Sequence, residues 1–538
     1  YDDKSLDCDM WIWSEGKNGE AYKFKNELDE EGFAVGIVKY TEPKISIITR
    51  LGENWTAQEE EREIEIPKGE DSTEVWIVQG DKTVYTSRPD TSKRVMSALA
   101  DSKTKIVCST THAIEGNTIN ATIEDSQGNT IPVTTKKLTD KLFEVTTKKD
   151  IDVTEAYEIF IEGFNSSKVT MRDVLNDSEF VYKGNDLGLS YNRNTSTFKV
   201  WAPTAKQVSV ALYNEAGTYN NAGIVTDHTD GDETEMTKVS AGVWEITIPQ
   251  DLESKYYMYK VEFADGTVNY AIDPYAKAVS ANGQRGAVID LNKTNPSGFD
   301  PMDKPFMINS TDAVLYELHV RDFSIGENSG MVNKGKFKAF TETGTKYNGV
   351  KTGVDHLKEL GVTHVHLLPA YDFKTVNELT VDDESSKNPK FNWGYDPQNY
   401  NVPEGSYSTD PTNPEARVKE FKEMVQTLHD NGIRVIMDVV YNHTFEIEEG
   451  PFDKIVPGYY YRTDNYGKFT NGSGCGNEVA SERPMVRKFI KDSVRYWSEE
   501  YGVDGYRFDL MGLIDIDTME QITTELHNEI DSTLLIYG

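Results

Sequence analysis

Asn413-Pro414-Glu-Ala-Arg-Val418-Lys-Glu-Phe421-Lys-Glu-Met-Val425-Gln-Thr-Leu428-His-Asp-Asn-Gly432-Ile-Arg-Val-Ile-Met-Asp438-Val-Val440-Tyr-Asn-His443 is a complete helix-to-strand unit written in sequence. Asn413 supplies an N-cap and Pro414 the first helical residue. Val418, Phe421, Val425 and Leu428 make the apolar stripe, and Gly432 stops the helix. Residues 433–440 then read as a strand. The same alternation extends outward. Residues 313–320 and 363–369 read as strands, with Val354, Leu357 and Leu360 at helical spacing between them, closed by Gly361. Met485, Val486, Phe489, Ile490, Val494 and Trp497 share one face of a further helix that ends near Gly502. Residues 503–509 and 533–537 read as the fourth and fifth strands. Strands alternating with helices predict βα units and a parallel sheet. The loops after the second and third strands are long, as where a barrel builds its site.

The first half reads as β. Residues 1–90, 91–184 and 185–305 each carry short alternating strands between Gly, Asn and Pro, among them 45–48, 119–123, 157–161, 197–201 and 243–247. Turn spacings near a dozen residues predict β-sandwiches. Asn295-Pro, Asp300-Pro and Lys304-Pro mark 294–305 as a linker. The predicted fold is multidomain: all-β sandwich modules, then residues 306–538 as the N-terminal part of an α/β (β/α)8 barrel, with about the first five strands.

Length agrees, since 538 residues correspond to roughly three to four domains. Lys plus Arg is 56 and Asp plus Glu 90, a net charge of −34. So negative a chain repels phosphate backbones and anionic lipid, which argues against nucleic-acid and membrane-surface partners and leaves neutral ones. Hydrophobic residues at 37% and aromatics at 11% are enough to form cores, against overall disorder. Cys8, Cys108 and Cys475 stand far apart without a CxxC, and no HExxH occurs, so neither a disulfide framework nor a zinc motif is indicated. No apolar run approaches the roughly 18 residues of a membrane span.

Three constellations fall at strand ends: Asp438 to His443, Gly505-Tyr-Arg507-Phe-Asp509-Leu510-Met511-Gly512, and Phe391-Asn392-Trp393-Gly-Tyr395-Asp396-Pro397. Arg507 and Asp509, two apart on a strand, point to one side. A neighbouring guanidinium holds a carboxylate ionised, as a nucleophile requires. Trp393, Tyr395 and Asp396 combine aromatic faces with a carboxylate, the means of gripping a neutral sugar. Each feature alone has a plainer reading: Arg507-x-Asp509 as a structural ion pair, Asp438 as a hydrogen-bonded core carboxylate, Trp393 and Tyr395 as loop-packing aromatics. His319, His364 and His366 read as satisfied core histidines. It is the order of the three motifs after successive strands that points to a barrel hydrolase.

Asp438-Val-Val-Tyr-Asn-His443, Gly505-Tyr-Arg-Phe-Asp509 and Leu534-Leu-Ile-Tyr-Gly538 resemble conserved regions of the α-amylase superfamily, glycoside hydrolase family 13. Asn392-Trp-Gly-Tyr-Asp-Pro397, after Phe391 where the family usually has Tyr, is similar to the hallmark of type I pullulanases, as are Gly474-Cys-Gly-Asn477 and Ser481-Glu-Arg-Pro-Met485. Trp11-Ile-Trp13, Gly19-Glu-Ala-Tyr-Lys-Phe24 and Val75-Trp-Ile-Val-Gln-Gly80 resemble the family 41 starch-binding module, and Phe198-Lys-Val-Trp-Ala-Pro203 the family 48 module. Residues 92–183 match only weakly, as an immunoglobulin-like spacer.

The resemblance implies a retaining debranching enzyme for α-1,6 bonds in pullulan, amylopectin and branched maltodextrins. Asp509 would be the nucleophile and Arg507 its positioning cation. His443, Tyr395, Asp396, Asn392, Trp393 and Asp438 would bind the sugar at the cleavage subsite. Leu510, Met511, Cys475 and Asn477 would line the neighbouring one. Trp11, Trp13 and Trp55 would stack sugars in the N-terminal module; an inward core pair is the alternative for the first two, and Gln58 stands where the family often has Lys. In this family the acid/base is a Glu after Tyr-Gly, and the sequence stops at Tyr537-Gly538. The expectation is therefore a truncated chain, inactive by itself. Amylopullulanase or isoamylase-like activity, or a non-catalytic α-glucan-binding protein, are the alternatives. No cofactor is required; the acidic loops leave room for a structural calcium, without EF-hand spacing. A start at Tyr1 fits a removed signal peptide or a cloned segment, and a secreted or cell-surface bacterial location is expected.

Overall fold

Five parallel strands form the sheet expected after residue 310, in the order Leu315–Leu318, His364–Leu367, Arg434–Val439, Gly505–Phe508 and Leu535–Tyr537. This is a computed structural model, and it describes residues 8–14, 17–25, 28–29, 33–39, 41–51, 55, 61–65, 72–78 and 83–538. Gln58 and residues 79–80 lie outside them.

The helices follow local rules. They are α1 (Gly353–Leu360), α2 (Pro414–Asp430), α3 (Pro451–Ile455), α4 (Pro484–Tyr501) and α5 (Ile516–Glu529). Asn413 caps α2, its side chain accepting from the Glu415 amide at 3.0 Å. Val418, Phe421, Val425 and Leu428 are buried, as the stripe requires. Gly502 ends α4 in the left-handed region at φ 72°, where a Cβ would press on the Pro301 backbone at 2.9–3.4 Å. α5 was not among the expected helices. Asp515 caps it through the Thr518 amide at 3.0 Å, and Met519, Ile522 and Leu526 turn inward.

Val365, Leu367, Val435, Met437, Tyr506 and Phe508 are fully buried, the outer face of the sheet under the helices. Side chains alternate along a strand, so His366, Asp438 and Arg507 lie on the opposite face. The first strand has only one neighbour among the described residues, and Leu315 and Tyr316 are exposed. The architecture is a set of β modules followed by part of a parallel β/α barrel.

The chain divides into two compact units, Tyr1–Ser92 and Lys93–Gly538. The first holds an antiparallel sheet ordered Glu20–Lys23, Cys8–Trp13, Lys44–Leu51, Arg62–Glu65. Met10, Ile12, Ile45, Ile47 and Ile64 form its core. In the second unit, residues 93–183 form two sheets that bury Ile106, Cys108, Phe143 and Val145 with Ile123 and Ile159. Burial pushes the Cys108 thiol up, so it is an inert core residue. The next sandwich pairs Thr195–Trp201 with Val243–Ile248 and Gln207–Tyr213 with Tyr256–Glu262. The segment 294–305 is tied down: Lys422 Nζ donates to Thr294 Oγ1 at 3.0 Å and Asn295 Oδ1 at 2.6 Å, and Arg434 Nε to the Pro305 carbonyl at 2.8 Å. No described helix is long and apolar enough to cross a membrane.

Candidate active site

The parallel register sets Asp438 beside Arg507, and Arg507 beside Tyr537. Their side chains therefore share one face at the C-terminal end of the sheet, where barrels carry their sites. Arg507 Nη1 is 3.1 Å from both oxygens of Asp438 and 2.8 Å from Asp509 Oδ1. Burial works against the guanidinium's charge, but Asp438 and Asp509 outweigh it and hold Arg507 firmly protonated. Asp438 is buried, whereas Arg507 is partly open. Two carboxylates thus share one cation.

Tyr395 reaches in from the long loop after the second strand and donates its hydroxyl to Asp438 Oδ2 at 2.7 Å. Burial and the Asp438 charge push that phenol up, so it stays protonated. Asn442 donates to the Asp509 carbonyl at 2.8 Å and to its Oδ2 at 3.1 Å. His443 places Nδ1 2.6 Å from Asn442 Oδ1 and Nε2 2.9 Å from the Tyr395 carbonyl. Burial lowers the His443 pKa, while the Tyr395 carbonyl, Asp509 and Asp396 push the other way. Leu510 follows the Asp509 carboxylate at φ 43°, a left-handed conformation costly for a residue with a Cβ.

Other expected residues serve the loops rather than open space. Asn392 donates to Asp396 Oδ1 at 2.7 Å and accepts from the Gly394 amide at 2.8 Å. Asp396 Oδ2 takes the Thr375 amide at 3.0 Å, and burial raises its pKa. Together they clamp the loop that carries Tyr395. Trp393 is 62% exposed and free to meet a ligand. Asn477 is buried, with both ends of its amide on the Thr444 backbone at 3.0 and 2.8 Å. It positions the residue after His443. Cys475 and Leu510 are exposed, and Met511 packs at the edge of the core.

The reading of three satisfied core histidines is corrected. His319 donates to the Asn392 carbonyl at 2.7 Å. His364 and His366, however, each bury an Nε2 without a hydrogen-bond partner. His366 faces the site: Nε2 is 3.6 Å from Asp438 Oδ2 and Nδ1 3.1 Å from the Tyr537 hydroxyl. His366 and Asn442 are the site residues that sequence reasoning missed. The signal for His366 was its strand period, which puts it on the inner face.

Among the described residues, Asp372, Glu378 and Glu404 form the one group of carboxylates whose oxygens lie close enough together to share a metal ion. Arg417 already binds Asp372 at 2.9 Å and Glu378 at 2.5 Å, and backbone amides of Phe373 and Ser406 take both oxygens of Glu404. Burial and like charge push Asp372 and Glu404 above the usual carboxylate range. Arg417 thus supplies counter-charge to the cluster, and Glu378 Oε1 is left buried without a hydrogen-bond partner.

In the N-terminal unit Trp11 and Trp13 lie opposite the buried Met10 and Ile12, so they are not a core pair. Trp55 is 5.3 Å from Trp11, ring to ring, at 76°. The Arg50 guanidinium lies over both, 4.7 and 4.3 Å from the two ring centres, and pairs with Asp9 at 2.7 and 2.9 Å. Arg50 was not foreseen.

Comparison with known proteins agrees with this geometry. Residues 318–468 match the profile "Alpha amylase, catalytic domain", residues 186–276 "Carbohydrate-binding module 48 (Isoamylase N-terminal domain)" and residues 1–86 "Bacterial pullanase-associated domain". Pullulanase of Bacillus subtilis (strain 168) is 45% identical over 344 residues, 64% of this chain and 45% of its own. The pullulanase structure from Bacillus acidopullulyticus aligns at TM-score 0.75 and 36% identity, over 83% of this chain and 66% of that one. The chain is a homologue of pullulanases. Further pullulanases agree: Pullulanase 1, chloroplastic, of Arabidopsis thaliana is 36% identical, over 63% of this chain and 37% of its own. A Paenibacillus barengoltzii pullulanase, solved with maltohexaose and alpha-cyclodextrin, aligns at TM-score 0.62 and 49% identity, over 68% of this chain and 54% of that one. The chain spans under half the length of these two curated pullulanases.

Proposed function

We propose that this chain carries the nucleophile side of a retaining glycoside hydrolase that cleaves α-1,6 bonds in pullulan, amylopectin and branched maltodextrins. The observation that carries the reading is the Arg507 nitrogen 2.8 Å from Asp509, at the mouth of a parallel sheet beside Tyr395 and His443. Asp509 attacks the anomeric carbon, and Arg507, 2.8 Å away, aims it. His443 and Tyr395 hold the ring being cleaved, with Trp393 at the open rim. A second carboxyl, roughly 5–5.5 Å from the nucleophile in such enzymes, protonates the leaving oxygen and then activates water. The carboxyls do the chemistry without a cofactor. The N-terminal unit holds α-glucan through Trp11, Trp13 and Trp55, and the enzyme works outside a bacterial cell, secreted or on its surface.

The test is to incubate the natural protein with pullulan, assay reducing ends and follow the first-formed anomer by proton NMR. Maltotriose with α-configured new ends is expected. No hydrolysis by folded natural protein, or β-configured ends, would overturn the reading.

A further inference from the structure

Residues 93–183 lie outside the three matched segments, and the family assignment leaves them without a role. Their contacts supply one. After His443 the chain makes a long excursion, residues 444–483, with α3 as its only regular helix. So long a loop holds one conformation only where contacts offset its entropy.

The outer side of that loop rests on the sandwich. Arg172 Nη1 donates to Thr463 Oγ1 at 3.0 Å, and the Tyr459 hydroxyl to Asn176 Oδ1 at 3.1 Å. Asp173 Oδ1 accepts from Arg483 Nε at 3.1 Å. Ser109 Oγ donates to the Tyr466 carbonyl at 3.4 Å. At Gly467, φ 78°, a Cβ would come within 2.5 Å of the Ser97 Cβ, so loop backbone lies directly on the sandwich. Arg483 relays the grip, donating to the Tyr459 carbonyl and, at 3.2 Å, to that of Tyr461.

The inner side of the same loop holds the site. Asn477 pins both polar groups of the Thr444 backbone, next to His443. Arg462 Nη1 donates to the Leu513 carbonyl at 2.7 Å, closing the turn that begins after Asp509. Ser481 Oγ accepts the Asp515 amide at 2.9 Å.

We propose that the 93–183 sandwich is a brace for the catalytic centre: through Arg172, Asp173 and Asn176 it fixes loop 444–483, and the loop fixes the backbone beside His443 and Asp509. Asp173 and Asn176 are positioning residues. Their effect on turnover rests on the glycosidase reading above; their effect on loop order does not. Misplacing groups at the reacting centre lowers turnover more than it weakens outer sugar contacts.

The experiment uses the natural protein with Asp173→Asn/Asn176→Ala, and Asp173→Glu as the charge-preserving control. Hydrogen exchange followed by mass spectrometry should show residues 440–446 and 471–483 exchanging about tenfold faster in the double variant, with residues 143–147 and 157–161 as in wild type. On pullulan, kcat should fall about tenfold, with KM within about twofold, and Asp173→Glu should recover most of the loss. Wild-type exchange in 440–446 and 471–483 of the double variant would overturn the brace. If the wild-type protein leaves pullulan intact, the glycosidase reading fails and the exchange result alone decides the brace.

Discussion

Arg507 Nη1 and Asp509 Oδ1 stand 2.8 Å apart, two residues along one strand, and the same nitrogen reaches Asp438 on the neighbouring strand at 3.1 Å. One cation therefore serves two carboxylates of different burial: Asp438 is enclosed, and Asp509 is the one nearer the opening. That asymmetry separates an anchor from a nucleophile. Asp509→Asn keeps the shape and the Asn442 contact but removes the attacking charge. Pullulan hydrolysis by the natural enzyme should fall about 10⁴-fold while the circular dichroism spectrum and Tm are retained. Turnover near that of wild type in purified variant would remove Asp509 from the role.

Tyr395 offers Asp438 a hydroxyl from a separate loop. Tyr395→Phe keeps the ring for the sugar and leaves buried Asp438 one donor short, a cost of about 1–3 kcal/mol. We expect kcat/KM to fall about tenfold, and further for Tyr395→Ala, which also loses the ring. Steady-state kinetics on pullulan check the order; a Phe variant equal to wild type would mean that the hydroxyl contact is idle.

In the N-terminal unit the Asp9–Arg50 pair is buried beneath Trp11 and Trp55. Arg50→Ala leaves Asp9 enclosed without its cation and should cost this unit about 3–5 kcal/mol, read by denaturant unfolding. Trp13→Ala and Trp55→Ala should instead leave folding intact and abolish retardation in amylopectin gels, because truncation removes the stacking area. Unchanged mobility relative to wild type would refute the binding role of those two rings.

Asp273 is buried among Tyr257, Tyr259 and the Tyr275 amide, and burial raises its pKa to about 6. An unfolded aspartate titrates near 3.9. The folded state thus binds the proton more tightly, so stability rises as pH falls through about 6, and the gain is complete below the unfolded value. The full effect is on the order of 3 kcal/mol and is absent at pH 7.5. The Tm of wild type minus that of Asp273→Asn should become more positive from pH 7.5 to pH 5. A difference that stays flat across that range contradicts the assignment.

The legible parts of the sequence were those governed by short range. The Asn413 cap, the stripe of α2 and the Gly502 stop depend on neighbours within a turn or two, and the structure reproduces them. α5 escaped because polar Thr and Glu residues dilute its stripe of Met519, Ile522 and Leu526. Trp11 and Trp13 were known to share a face, but which face required the sheet, since Met10 and Ile12 had to find Ile45, Ile47 and Ile64. Asn477 was read as lining a sugar subsite. The structure spends its amide on Thr444, a partner chosen by how the long loop folds back.

By itself the sequence determined the alternation of strands and helices, the common side of Arg507 and Asp509, and the loops that carry Tyr395 and His443. These follow from periods of 2 and 3.6 and from caps, which act between residues close along the chain. Only the tertiary structure decided that Asp438 meets Arg507, that Tyr395 reaches Asp438, that Arg50 lies over two indoles, and that Asp173 holds Arg483. Each of those pairings depends on strand register or on the closure of a long loop. Many distant partners compete there, and the winner is set by which arrangement leaves the fewest buried polar groups unmet.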